Sequence, residues 1–396
     1  MQASTQKAPI YLDNHATTRT DPRVVEAMLP FFLDEYGNAA SSAHRFGWAA
    51  ADAVDRAREQ VATSLGVEAS GIVFTSGATE SNNLALKGLA RGSSGAGRSH
   101  LITAASEHRA VLDPMKRLAR EGFDLTIVGC DGQGLVDPDR VAAAITDKTL
   151  VVSVMTANNE VGAINPIAEI GRICRARGVF VHTDAAQAVG KIPVVDLVEH
   201  VDLLSLSAHK LYGPKGIGAL YVNRQRGMKL LPLFDGGGHE RGLRSGTLPV
   251  PLVVGLGAAV AIADRERPAE AERILILRER LKTALERLIP ATRVNGPAAN
   301  RLPGNLNMSF QDVDGGALLM TLRDLAVSSG SACSSTEPEP SHVLTAMGLD
   351  EETARASLRF GLGRFTTADE VDRAAQAVAI AVAALREHSI AWPGRG

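Results

Sequence analysis

The sequence predicts an α/β protein with a large, mainly parallel seven-stranded sheet and a smaller α+β unit. Two observations carry this. From about residue 20 to 225, short apolar runs alternate with longer helical patterns, as expected for strands joined by crossover helices. Beyond about residue 260, strand and helix patterns mix less regularly. The chain has 396 residues, 45% of them hydrophobic, which is enough for two units with sizeable cores.

The elements follow in order. Asp21-Pro22 before Val24-Val25 and Met28-Leu29 reads as an N-cap and a proline at the first position of a helix. Ala49 to Leu65 has helical spacing. The expected strands are Gly71–Phe74, His100–Thr103, Leu125–Val128, Leu150–Met155, Val179–Thr183, Leu203–Ser207 and Gly218–Val222. A helix begins after Thr75-Ser76-Gly77, and Pro166 to Arg177 forms another. From Pro249 a long helical region reaches about Leu288. Strands at Asn305–Phe310, Leu325–Ser328 and Leu358–Leu362 follow, with helices at Gly315–Arg323 and Thr367–Glu387.

Composition narrows the function classes. The net charge of -2 gives no general attraction to nucleic acid or to a membrane surface. No apolar run reaches spanning length, and the first residues lack the apolar stretch of a signal peptide. The expectation is a cytoplasmic protein that binds neither membrane nor nucleic acid. Three widely spaced cysteines, Cys130, Cys174 and Cys333, without a CxxC pair, indicate neither a disulfide framework nor a metal site.

Several polar groups fall where apolar strands end, the usual place for ligands in such sheets. Lys210 closes the run Val201–Lys210. Burial there disfavours the ammonium form and makes a Schiff-base nucleophile, although most lysines are surface charges. Ala78 and Thr79 open a helix, whose first N–H groups form an anion site or merely an ordinary capped turn. Asp184 ends another strand and needs a partner, such as a cationic ring nitrogen or a helix start. His108 can stack on a flat ring or be structural, and Asn158-Asn159 can donate to a phenolic oxygen or form a turn. Cys333 lies in a small-residue polar loop, where a thiolate is reactive; Cys130 and Cys174 read as core residues. Arg359 inside an apolar strand suits a carboxylate, from a substrate or a salt bridge. Taken together these groups describe pyridoxal phosphate and an amino-acid substrate.

With these residues in view, the sequence resembles the cysteine desulfurases, within the class V, fold-type I pyridoxal-phosphate enzymes. The likeness runs through Tyr11–Thr18, Gly37-Asn38, His44–Gly47, Thr75–Ser81, Asn158–Glu160, Asp184 with Gln187, Ser207–Lys210, Arg244–Thr247 and Ser329–Cys333. The cysteine loop resembles the long-loop, housekeeping and nitrogen-fixation type. The resemblance implies a large cofactor-binding domain at 17–260 and a small domain at 1–16 plus 261–396. It implies that Lys210 holds the cofactor covalently and that Ala78, Thr79, Ser207 and His209 hold its phosphate, with Thr247 from a neighbouring subunit. Asp184 then pairs with the ring nitrogen, Gln187 and Asn159 address the phenolic side, and His108 stacks on the ring. Arg359 and Asn38 grip the substrate carboxylate, and Cys333 is the nucleophile. The implied partners are L-cysteine, a second copy of the chain, and a sulfur-acceptor protein such as an iron–sulfur scaffold. The sequence after Cys333, Ser334-Ser335-Thr336-Glu337-Pro338, departs from the family pattern and leaves the acceptor open. A selenocysteine lyase or another class V enzyme would share the cofactor residues without depending on Cys333. A non-catalytic binding protein is disfavoured by the intact Lys210, Asp184 and Cys333.

Overall fold

In the computed structural model, residues 9–93, 97–329 and 340–388 are described. Cys333 therefore lies outside the described residues, as does most of the loop around it.

Among the described residues there are twelve strands. They are β1 (Ile10–Tyr11), β2 (Ile72–Thr75), β3 (His100–Ala104), β4 (Asp124–Val128), β5 (Thr149–Ser153) and β6 (Phe180–Asp184). Then come β7 (Leu203–Ser207), β8 (Gly218–Val222), β9 (Thr292–Asn295), β10 (Asn305–Phe310), β11 (Leu325–Ala326) and β12 (Ser357–Gly361). Seven make one sheet in the order β2-β8-β7-β6-β5-β3-β4. β3, β4, β5, β6 and β7 run parallel, and β8 runs antiparallel to both β2 and β7. β2 therefore points the same way as the parallel strands, and the six carboxyl ends share one edge. All seven expected strands are in this sheet. Every residue of β3, β5, β7 and β8 is buried, which is why they read as continuous apolar runs.

Helices cover the sheet. Pro22–Met28 starts as expected, with the Asp21 side chain accepting from the Arg23 N–H. The helix expected from Ala49 begins earlier, at Arg45, because His44 caps it by accepting from the Gly47 N–H. It stops at Gly66, whose φ of 68° is the left-handed conformation that glycine adopts at no steric cost.

The helix Val250–Leu288 belongs to two apolar clusters. Val253, Leu256 and Val260 pack into the core of the large sheet. Leu277, Leu281 and Leu285 pack with Leu12, Met308, Phe310 and Phe360 in a second core. That core is completed by Val371 and Val378 of the helix Ala368–His388. It covers an antiparallel sheet, β12-β10-β9, while β1 pairs in parallel with β11. β1 and β9 are additions to the expected elements. Among the described residues no helix is long and apolar enough to cross a membrane.

Candidate active site

The shared carboxyl edge of the sheet gathers most of the expected site residues. β7 ends at Ser207 and turns into a single 3-10 turn, Ala208–Lys210. Lys210 Nζ donates to the backbone carbonyls of His15 at 2.6 Å and Ala16 at 2.7 Å. Desolvation first, and the Arg359 charge second, bring its pKa down to about 8, against the opposing pull of Asp184 and Asp13. The turn is held from the far side. Tyr212 has a φ of 65°, costly for a bulky residue, and is fixed at both backbone groups. Its N–H donates to Thr18 Oγ1 at 2.8 Å and its carbonyl accepts from the Asp21 N–H at 2.9 Å. Lys210 thus stands on a rigid base.

Beside it, β2 ends in a turn at Gly77, and the helix Ala78–Gly92 begins. The first N–H groups of a helix have no partner within it. Ser207 is buried, and its Oγ has no hydrogen-bond partner among the described residues. A side chain at Gly77, where φ is 145°, would come within 3.7 Å of that oxygen. An open donor set of helix N–H groups and a hydroxyl is the composition of an anion cradle. His209 adjoins it, with Nδ1 3.2 Å from Thr17 Oγ1. Burial and nearby Lys210, Lys215 and Lys191 bring its pKa to about 4, so its ring is neutral.

Asp184 ends β6 and is buried. Its Oδ2 accepts from Asn82 Nδ2 at 2.7 Å and its Oδ1 from the Ala186 N–H at 2.9 Å. Asn82 was not among the expected residues. Its only local signal is that it lies one helical turn beyond Ala78, on a face that turns out to be buried. Glu107 is a second buried carboxyl nearby, with its Oε1 accepting from the Met155 N–H. Burial and the Asp184 charge push its pKa well up.

His108 caps the helix Arg109–Arg120, and its Nδ1 accepts from the Ala110 N–H at 3.0 Å. The neutral ring must therefore carry its proton on Nε2. Neighbouring atoms lower its pKa by desolvation, and Asp184 and Lys210 act in opposite senses on it. Gln187 is buried, and its Nε2 donates to the His15 carbonyl at 2.9 Å. The same carbonyl receives Lys210, so Gln187 and Lys210 converge on one oxygen.

Arg359 comes from β12, in the other sheet, and is buried. Its Nη2 donates to Asp13 Oδ1 at 2.7 Å and its Nη1 to the Asn159 carbonyl at 3.2 Å, while its Nε has no partner among the described residues. Asn159 thus meets Arg359 through its backbone. The backbone N–H of Arg359 donates to the Ser328 carbonyl at 2.6 Å, where the chain enters the cysteine loop. Where the chain leaves that loop, Ser341 Oγ donates to Glu160 and His342 Nε2 donates to the Glu107 carbonyl at 2.8 Å. Both ends of the loop are therefore tied to the site edge.

Two expected residues stand apart. Asn38 lies in an exposed turn, its Oδ1 accepting from the Ala40 N–H at 2.9 Å. Thr247 is also exposed. No hydrogen bond among the described residues joins either one to the groups above. Nearby, Arg244 Nε pairs with Glu80 at 2.9 Å, which brings the segment before Thr247 to the helix that carries Ala78 and Thr79.

Comparison with known proteins decides the family. The model of the family "Aminotransferase class-V" matches residues 10–374. The chain belongs to the class V aminotransferase family. It is 56% identical over 383 residues to a protein of Anaeromyxobacter dehalogenans (strain 2CP-C) named cysteine desulfurase IscS, covering 97% of this chain and 95% of that one. A protein of the same name from Rickettsia bellii (strain OSU 85-389) is 50% identical over 385 residues, covering 97% and 93%. Among solved structures, a NifS-like protein superposes with a TM-score of 0.88 at 39% identity, covering 95% of this chain and all of that one. A structure titled "SspA in complex with cysteine" gives 0.79 at 39% identity, covering 90% and 100%.

Class V aminotransferases are pyridoxal-phosphate enzymes of fold type I, and the residues here fit that cofactor. The unpartnered Ser207 hydroxyl at a helix start suits the phosphate. The buried Asp184 carboxyl, backed by Asn82, suits a protonated ring nitrogen. Lys210 supplies an amine of lowered pKa on the same edge.

Proposed function

We propose that the chain is a pyridoxal-phosphate-dependent cysteine desulfurase that carries sulfur from L-cysteine as a persulfide on Cys333 and releases L-alanine. The observation that carries this reading is the anchoring of the cysteine loop. Its entry pairs with the strand of Arg359, and its exit is bonded to Glu160 and Glu107. The described ends of the loop thus meet the edge that carries Arg359. The relatives named cysteine desulfurase support the same reading.

Each residue then has a role. Ala78, Thr79, Ser207 and His209 hold the cofactor phosphate, with Thr247 contributed by a second subunit. Asp184 holds the ring nitrogen proton, and Gln187 and Asn159 face the phenolic side. When bound, the cofactor supplies an electron sink for the bond-breaking at the substrate. Arg359, with Asn38, orients the substrate carboxylate through charge-assisted hydrogen bonds. Lys210 moves the proton at the substrate Cα, a task suited to an amine whose pKa lies near 8. His108, with its proton on Nε2, exchanges protons with the thiols. The Cys333 thiolate bonds to the substrate sulfur. The substrate carbon–sulfur bond breaks, and the carbon gains a proton to complete L-alanine. One thiol and one cysteine thus become one persulfide and one alanine, with atoms in balance. The sulfur then passes to an acceptor protein, such as an iron–sulfur scaffold. A homodimer in the cytoplasm, with the large and small domains divided near residue 260, completes the proposal.

The test is L-alanine and sulfide release from L-cysteine with reductant present, wild type against Cys333→Ala. Loss of turnover in the variant, with the cofactor spectrum intact, supports the reading. Full turnover in the variant overturns it.

A further inference from the structure

Lys191 has no part in the roles above, yet it reaches into the site. It lies four residues beyond Gln187, and its Nζ donates to Gln187 Oε1 at 2.7 Å. The same oxygen is 3.0 Å from His15 Nδ1. Burial lowers the His15 pKa well below its ordinary value, so this ring is neutral. With its proton on Nδ1 it donates to Gln187 as well, which leaves Nε2 bare; that nitrogen has no partner among the described residues. Gln187 Oε1 is therefore held by two donors, and one Nε2–H is spent on the His15 carbonyl. A side-chain amide has two N–H donors. The second remains for a ligand.

The surroundings give Lys191 more than a packing role. Beside it is a cavity of about 30 Å³ lined by Asn14, His15, Lys191, Tyr212 and Glu270, among others. Without the lysine head, Gln187 Oε1 keeps His15 Nδ1 as its one donor among the described residues. Burial, Lys210 and Arg359 bring the Lys191 pKa to about 7, with Glu270 acting in the opposite sense. Both protonation states carry N–H groups, so the bond to Gln187 survives either way.

We propose that Lys191 is a positioning residue: by holding the Gln187 amide oxygen it keeps the free Nε2–H aimed at the phenolic side of the cofactor ring. This rests on the cofactor reading above. The test uses the loaded enzyme and measures the pH titration of its visible absorbance, together with the cofactor dissociation constant. Lys191→Met should shift the titration midpoint and weaken cofactor binding by about 3- to 10-fold, the size of a coupling between directly bonded side chains. Lys191→Arg, which keeps a donor, should recover part of both. In a Gln187→Ala background, Lys191→Met should add less than about 2-fold. An unchanged spectrum and affinity in Lys191→Met overturns the inference, as does an equal effect in the Gln187→Ala background. Wild-type protein that takes up no cofactor overturns the underlying reading and this inference with it. A normal wild type beside a silent Lys191→Met overturns the inference alone.

Discussion

Two residues of β6, two positions apart, show how this protein separates structure from function. His182 sits mid-sheet, with Nδ1 2.8 Å from Ser153 Oγ on β5 and Nε2 3.1 Å from Ser205 Oγ on β7. Both ring nitrogens are satisfied by neighbouring strands, and burial brings its pKa to about 3. His100 on β3 is closed in the same way by Thr149 and Thr126, each at 2.8 Å. Asp184 ends the same strand, and around it capacity is left open. Ser207 Oγ, Asn82 Oδ1, His15 Nε2 and Arg359 Nε all lack partners among the described residues. Exceptions elsewhere are Thr103 on β3, Asn295 on β9, Asn305 on β10 and Arg301. Buried polar groups are normally paired, so a cluster of open ones marks a place prepared for something else. The closed histidines tie neighbouring strands together, and the open groups near the carboxyl edge suit a ligand.

This contrast can be broken at its strongest point first. Asp184→Ala should lower turnover by roughly 100-fold or more, since it removes the partner of a group charged during the reaction. A retained rate would mean that the open edge is not the reaction centre. In the interior, Ser153→Ala should instead cost about 1–3 kcal/mol of stability, because it leaves a buried ring nitrogen unpaired. Thermal unfolding checks this, and cofactor affinity should not change. Ser207→Ala removes a hydroxyl that has no protein partner, so stability should change by less than about 1 kcal/mol. The variant should still bind the cofactor more weakly, by roughly 5- to 10-fold for one lost hydrogen bond. Equal behaviour of the two serine variants would erase the distinction between the regions.

The smallest effect sharpens the comparison. In cofactor-free protein, the rate of covalent labelling at Lys210 should rise with pH through a midpoint near 8. The sign follows from burial: the neutral amine is the reactive form, and a lowered pKa makes it available at lower pH than the value of about 10.4 for an ordinary lysine. A midpoint near that ordinary value would remove the electrostatic case for Lys210.

Much of the large sheet was legible because its strands, apart from the edge strand β4, are buried on both faces and stand out as apolar runs. β1 is too short to show a pattern, with two residues. β9 has partly exposed residues and only Asn295 fully buried, so nothing apolar marks it. The candidate site was legible where polar groups fall at a strand end, as with Lys210, Asp184 and Ser207. It was not legible where partners meet across the chain. Asn82 reaches Asp184 over 102 residues, and His15 reaches Gln187 over 172. Beyond the spacing of Asn82 from Ala78, nothing local in the sequence distinguishes those side chains from ordinary polar residues. Cys333 is a candidate by its setting and by family likeness, and it lies outside the described residues.

The central claim is that Cys333 takes the sulfur. The most direct measurement is a single turnover of the loaded enzyme with L-cysteine and no reductant, followed by peptide mass spectrometry. The account predicts one added sulfur atom on the peptide containing Cys333, with about one L-alanine per persulfide, as the balance of the reaction requires. L-alanine formed with no added sulfur on that peptide would contradict it.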